Sequence, residues 1–521
     1  MAFRTQAHGG EIAVAAPHYL AGHFALNSYF TRDNPNHAAA VCFLSSAFNL
    51  PYLCGLGGDA VIVGRTHGGN VFSFNGLGKS GSGQSLEHYR ELGVEKVPFR
   101  GMLSTIVYGA PYAFDRFIKR ANLGVSEVLD DLCLDVAKPK LISPYARGYI
   151  NKYRADLLRS RNFQRWQAVF GVSSQSISCT EMPNKSLVGI VRKEGLQTFY
   201  KGTIAEKFLD TARIEAPGVF LQRDLEDFTA NTTDTACLSF LGTKIYCHSG
   251  MTPWLELALM LAVIEKDIEG YSRFDGVSML RWCRLAGAID TYLERHRIKR
   301  CELDSAYSVN NFIAIGAQHL IDELRSCESI KPIWGKSSNT IFLAVAHADG
   351  TLIGITSSIF TPFGAMVDPG DSGVLLSNRG FAFSDDKYSP RKLIPEQTPY
   401  HTINSLVAEN SEIVFTLGTT GGSVQVQVLS QLLVRVLHLK ESPQAALEAP
   451  RFANMGRSNR HHYTLLSYER RCSSLLVSER FYPLPGLTST MGVAQIAGID
   501  RKSGSVFSAS DPRGEGVALA Y

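Results

Sequence analysis

The chain of 521 residues is 45% hydrophobic and 19% charged, with a formal net charge of +4. That length allows two to four domains, or one large α/β unit with an ample core. The mild, unclustered charge argues against nucleic-acid and acidic-membrane partners. Ten scattered cysteines without metal-ligand spacing read as reduced, mostly buried thiols. No apolar run approaches membrane-spanning length, and the N-terminal MAFRTQAHGGEIAVAAPHY has no sustained apolar stretch. These features predict a cytoplasmic protein, and nothing in the sequence signals a cofactor or metal.

In chain order, residues 16–58 are small and apolar and end in the run Cys54-Gly55-Leu56-Gly57-Gly58-Asp59-Ala60. Val61-Ile62-Val63 reads as a strand, His67-Gly68-Gly69-Asn70 as a turn and residues 71–74 as the returning strand. A glycine run that precedes a strand and lacks the phosphate-loop lysine does not predict phosphate binding. Residues 107–214 are largely helical in pattern, with amphipathic stretches at 126–138 and 151–161. One strand is expected over 238–247, and helices over 253–269, 278–297 and 310–327. A polar linker, 328–338, follows.

The chain then reaches Thr340. Residues 341–347 are apolar and partly alternating, Ala348-Asp349-Gly350 is a turn signal, and 351–359 resumes the strand pattern. This predicts a β-hairpin with Thr340 at the start of its first strand. If the Asn339–Thr340 bond were cut, Thr340 would carry both a hydroxyl nucleophile and a free α-amine. That amine titrates near ~8, so one residue would supply nucleophile and general base. The bland alternative is that Thr340 merely opens a strand.

Further on, Pro399-Tyr400-His401-Thr402 precedes a strand at 412–417, followed by Gly418-Thr419-Thr420-Gly421-Gly422-Ser423 and an apolar helix over 424–439. Two glycines before a helix offer backbone N–H groups to negative charge, as an oxyanion hole requires; otherwise they form a tight turn. Ser442-Pro443 caps and opens a short helix through Ala449.

Asn339-Thr340 with its hairpin, Phe363-Gly364 and Gly370-Asp371-Ser372-Gly373-Val374-Leu375-Leu376-Ser377-Asn378 resemble the small-subunit start of gamma-glutamyltranspeptidases. So do Gly421-Gly422-Ser423, Ala449-Pro450-Arg451-Phe452, Met491-Gly492-Val493-Ala494-Gln495 and Ala509-Ser510-Asp511-Pro512-Arg513, and more patchily residues 198–206 and 218–228. The resemblance implies an α+β fold, the four-layer αββα sandwich of N-terminal-nucleophile (Ntn) hydrolases. It also implies self-cleavage into segments 1–339 and 340–521 that stay together as a heterodimer, with a dimer of such pairs one option.

The same resemblance makes Thr340 the nucleophile, Ser358 the hydroxyl that orients its amine, and Gly421 and Gly422 the oxyanion donors. The family's substrate clamp is not kept. Its asparagine, glutamine and aspartate positions hold Phe360, Arg379 and Ala382. Its arginine position holds Leu77, with Lys79 two residues on, and its serine pair is His401-Thr402. Losing an aspartate and gaining an arginine disfavours a buried substrate ammonium. The pocket resembles the cephalosporin-acylase-type branch instead, with Arg379 holding a substrate carboxylate and His401, Thr402 or Lys79 assisting. On the residues alone, Arg379 could equally pair with Asp371 or Asp385, and His401 could pack on Tyr400. The resulting expectation is an amidohydrolase or acyltransferase acting on a small acyl donor with a carboxylate and no free α-amine, with carbon–carbon acyl cleavage left open. Ordinary gamma-glutamyl transfer and an unprocessed, non-catalytic binding protein are the alternatives.

Overall fold

The computed structural model describes residues 4–132, 142–172, 184–230, 235–296, 306–327, 329–333, 340–386, 388–457, 464–472 and 481–521. Its strands in the N-terminal part are β1 (Ala7–Gly9), β2 (Ile12–Ala16), β3 (Asp59–Arg65), β4 (Val71–Gly76), β5 (Thr235–Phe240) and β6 (Thr243–His248). After Thr340 come β7 (Ile341–His347), β8 (Leu352–Ser358), β9 (Ser405–Glu409), β10 (Ile413–Thr419), β11 (Phe452–Arg457) and β12 (Thr464–Glu469). The last are β13 (Phe481–Leu484), β14 (Ala494–Asp500), β15 (Val506–Ser510) and β16 (Val517–Ala520).

Two antiparallel sheets carry the molecule. One has the order β16-β2-β7-β8-β3-β4 and the other β1-β15-β14-β10-β9-β6-β5, while β11-β12-β13 form a small third sheet. Side chains alternate between the two faces of each strand, and this period of two builds four layers. Phe342, Ala344, Val61 and Val63 meet Ile403, Val407 and Val414 between the sheets. The opposite faces, through Leu343, Val345, Ile353 and Ile355, pack on helices Tyr19–Arg32 and Pro35–Asn49. Leu406, Ala408, Phe415 and Leu417 pack on helices Trp254–Lys266, Gly276–Arg295 and Gln425–Leu433. Each such buried aliphatic or aromatic side chain contributes about 1.5–3 kcal/mol. The sheets approach so closely that a Cβ on Gly354 would lie 2.4 Å from Thr416 Oγ1, and one on Gly418 2.5 Å from the Phe342 ring.

The six-stranded sheet interleaves the two sides of the 339/340 junction, because β2, β3 and β4 precede it and β7, β8 and β16 follow it. Cutting the chain there would leave the ladders β2–β7 and β3–β8 in place.

Several expected elements differ. Residues 238–247 are not one strand: they fall within the hairpin β5–β6, turning at Leu241 (φ 48°) and Gly242 (φ 71°) with Phe240 opposite Thr243. A two-residue loop with both φ positive matches the twist of its strands. The stretch 151–161 breaks at Tyr153 into Pro144–Lys152 and Arg154–Arg159. The helix expected over 253–269 ends at Lys266. Asp267 then leaves helical geometry, and its side chain accepts from Gly270 N–H to cap Ile268–Ser272. Of the stretch 126–138, the part beyond 132 lies outside the described residues, and its helix is Val125–Asp130. No described helix is long and apolar enough to cross a membrane.

Candidate active site

The register of the hairpin positions Thr340. Ile341 pairs with Ser357, so continuing that register by one step sets Thr340 opposite Ser358. On the other side of β8, Ser358 pairs with Asp59 of β3. Cross-strand partners share a face, and here it is the face of Phe342 and Val61, turned towards the second sheet. Thr340, Ser358 and Asp59 therefore gather at one end of the sandwich, each exposed by 2% or less.

The second sheet and its helices supply the opposite wall. Gly421 (φ 113°) and Gly422 (φ 63°) turn the chain from β10 into the helix Gln425–Leu433. Both occupy the left-handed region that a side chain disfavours. The turn is pinned by Thr420, whose N–H donates to Val493 O at 3.0 Å and whose Oγ1 accepts from Val493 N–H at 2.8 Å. Gln425 opens the helix, and its Nε2 reaches Thr340 Oγ1 at 3.5 Å while its Oε1 accepts from Asn404 N–H at 3.0 Å. The nucleophile candidate is thus tied to the strand-to-helix turn that carries both glycines. His401, Thr402, Gly422 and Ser423 together line a cavity beside this turn.

A buried charge cluster lies behind Ser358. Arg379 Nε donates to Asp59 Oδ2 at 3.2 Å, and both side chains are fully buried. Asp59 Oδ1 accepts from Gly78 N–H at 2.8 Å, and His401 Nδ1 lies 3.8 Å from Asp59 Oδ2. Burial pushes the Asp59 carboxyl above its ordinary range, against the pull of Arg379 and the Gly78 N–H. The Arg379 guanidinium stacks 4.3 Å from the centre of the Phe360 ring. Phe360 holds φ 73°, unusual for a bulky residue, and its N–H donates to Ser358 Oγ at 2.9 Å. Among the described residues, Arg379 Nη1 and Nη2 have no hydrogen-bond partner. A buried guanidinium with its terminal fork unpaired is costly unless an anion meets it.

Of the residues singled out in the sequence, Thr340, Ser358, Phe360, Arg379, His401, Thr402, Gly421 and Gly422 lie around this end of the sandwich. The partner of Arg379 is Asp59, and neither Asp371 nor Asp385 pairs with it. Lys79 goes elsewhere: its Nζ lies over the Phe228 ring at 5.9 Å, half-buried, and burial lowers its pKa against the pull of Glu396. Leu77 fills the core between the sheets. Asn339, the polar loop before it and His461-His462 lie outside the described residues. Two contributors escaped the sequence reading. Asp59 was visible only as a carboxylate heading an apolar strand, and Gln425 as a polar residue at the start of an apolar helix.

Two facing antiparallel sheets between helical layers, with a hydroxyl residue heading a central strand at one end, define the fold of an Ntn hydrolase. The comparisons agree. A model of the family described as Gamma-glutamyltranspeptidase matches residues 34–521. The glutathione hydrolase-like YwrD proenzyme of Bacillus subtilis (strain 168) is 24% identical over 540 residues, covering 98% of each chain. The oxamate amidohydrolase proenzyme of Klebsiella pneumoniae subsp. pneumoniae is 23% identical over 550 residues, covering 97% of this chain and 98% of that one. Among solved structures, a cephalosporin acylase from Bacillus halodurans superposes with a TM-score of 0.82 at 19% identity, over 100% of this chain and 98% of its own.

The chain belongs to the gamma-glutamyltranspeptidase family, and it is an Ntn hydrolase of that family.

Proposed function

We propose that the protein is a self-processing amidohydrolase or acyltransferase whose nucleophile is Thr340 and whose acyl donor carries a carboxylate but no free α-amine. Processing is an attack of Thr340 Oγ on the Asn339 carbonyl, which forms an ester that water hydrolyses. The products are segments 1–339 and 340–521, held together by the shared sheet. The freed α-amine then takes the proton of Thr340 Oγ as it attacks the donor carbonyl. The N–H groups of Gly421 and Gly422 stabilise the tetrahedral oxyanion. The proton passes to the leaving amine, and water or a second amine releases the acyl group from Thr340.

The observation that carries the donor assignment is the terminal fork of Arg379, buried and without a hydrogen-bond partner among the described residues. With Nε engaged by Asp59, Nη1 and Nη2 remain for end-on pairing with a carboxylate. A donor ammonium at the same place would meet a guanidinium. Ordinary gamma-glutamyl transfer is the second reading, favoured by the name of the Bacillus subtilis relative.

Anilides separate the two. A glutaryl anilide, with a carboxylate and no amine, is expected to exceed the gamma-glutamyl anilide in kcat/KM by about tenfold or more. Arg379→Gln is expected to raise KM for the glutaryl donor by about 100-fold, the loss of a charge-assisted pair. Preferential turnover of the gamma-glutamyl anilide would overturn the donor assignment.

A further inference from the structure

The helix Gln425–Leu433 carries buried glutamines at 425, 427 and 431, and the last two serve the fold. Gln427 Nε2 donates to Asn454 O at 3.0 Å and Gln431 Nε2 to Phe452 O at 2.9 Å, which ties the helix to β11. Gln425 points its amide elsewhere. Its Oε1 is taken by the Asn404 N–H at 3.0 Å, and a backbone N–H can only donate. The amide orientation is therefore fixed, with the NH2 group turned to Thr340 Oγ1 at 3.5 Å. Gln425 is fully buried and Thr340 is 2% exposed, so bulk water does not replace this donor.

We propose that Gln425 is a catalytic residue of deacylation, donating to Thr340 Oγ as that oxygen leaves the acyl group, an assignment that rests on the Thr340 reading above. Water attacks the ester carbonyl and passes a proton to the α-amine, while the tetrahedral oxyanion sits on the Gly421 and Gly422 N–H groups. The C–Oγ bond then breaks, its electron pair goes to Oγ, and the α-ammonium returns the proton to that oxygen. The Gln425 N–H steadies the charge on Oγ between those two events. One turn after β10 thus serves both oxygens whose charge changes, the carbonyl oxygen through its glycines and Oγ through Gln425. Only a contact stronger in the transition state than in the ground state speeds a step. Before acylation the hydroxyl Oγ already accepts from Gln425, as in this structure, so little is gained there. In the acyl-enzyme the ester Oγ shares its lone pair with the carbonyl and accepts poorly, so the bond forms only as Oγ departs. The ester on the Asn339 carbonyl during processing is expelled in the same way and depends on the same donor.

The test follows freshly purified full-length protein by intact mass, in buffer and in neutral hydroxylamine, for the wild type, Gln425→Met and Thr340→Ala. Hydroxylamine attacks esters far more readily than water does and leaves a hydroxamate on segment 1–339. Gln425→Met, similar in size and without a donor, is expected to cut about 100-fold more slowly than the wild type in buffer. Hydroxylamine is expected to restore its cutting at Asn339–Thr340, because the ester still forms. In the cut fraction the glutaryl adduct on the Thr340 segment is expected to decay about 100-fold more slowly. Single-turnover release of 4-nitroaniline from the glutaryl anilide is expected to change less than about threefold. Gln425→Glu keeps an oxygen for the Asn404 N–H while its carboxylate has no N–H, so the same expectations hold for it should Gln425→Met fail to fold. Wild-type rates in the variants, or release and decay slowed alike, overturn the proposal, as does a folded Gln425→Met chain that hydroxylamine does not cut. A wild-type chain that stays uncut, or a Thr340→Ala chain cut at that bond, sinks the nucleophile and the role of Gln425 with it.

Discussion

Asp59→Asn tests the buried cluster most sharply. The substitution keeps size and shape, and an amide oxygen can still accept from Gly78 N–H, so what it removes is the negative charge beside Arg379 and His401. Nε and Oδ2 stand 3.2 Å apart with both side chains fully buried. At that separation a unit pair carries about 5 kcal/mol at an effective dielectric near 20, and breaking a buried pair from one side costs about 3–5 kcal/mol. Urea unfolding followed by tryptophan fluorescence should show a loss of about 3 kcal/mol. The double variant Asp59→Asn/Arg379→Gln should lose less than the sum of the singles by about 2 kcal/mol. A loss below about 1 kcal/mol, with additive singles, would refute the reasoning.

Other outcomes follow from the same geometry. Gly421→Ala forces a side chain onto φ 113° and sets its Cβ 2.9 Å from Val424 Cγ2. Turnover should fall about 100-fold through displaced oxyanion donors, checked by kcat against an unchanged far-UV spectrum. His248 is buried neutral, with its pKa pushed down from 6.5 to about 4. The unfolded chain gains a proton in that window before the native state does, so stability present above pH 6.5 is lost as the pH falls. The loss reaches about 3 kcal/mol by pH 4. His248→Gln should remove that acid sensitivity, measured as unfolding midpoints across the window.

What could be read from the sequence follows the range of each signal. The β7–β8 hairpin is written locally, in the alternation around Ala348-Asp349-Gly350, and the structure pairs it as expected. Gly421-Gly422 before an apolar helix was equally legible, because positive φ leaves a compositional mark. The hairpin at Leu241-Gly242 was missed because only one of its two turn residues is a glycine. The break at Tyr153 has no glycine or proline to announce it. The partner of Arg379 lies 320 residues away, and no spacing rule reaches that far. Asp371 and Asp385 were the neighbours that proximity offered, yet the strand order β7-β8-β3 brings Asp59 in instead. The four layers came from resemblance and not from periodicity, which fixes faces but not which sheets stack. Arg379 was legible as an arginine in an altered clamp. That its two terminal nitrogens stay unpaired among the described residues needed coordinates.

The central claim is that Thr340 becomes a chain terminus and acts as nucleophile. Intact-mass analysis of the purified protein beside its Thr340→Ala variant tests it directly. The account predicts two chains meeting at Asn339–Thr340 in the wild type and one uncut chain in the variant, with the glutaryl adduct confined to the wild-type Thr340 segment. A single uncut chain in the wild type, or cleavage that persists in Thr340→Ala, would contradict it.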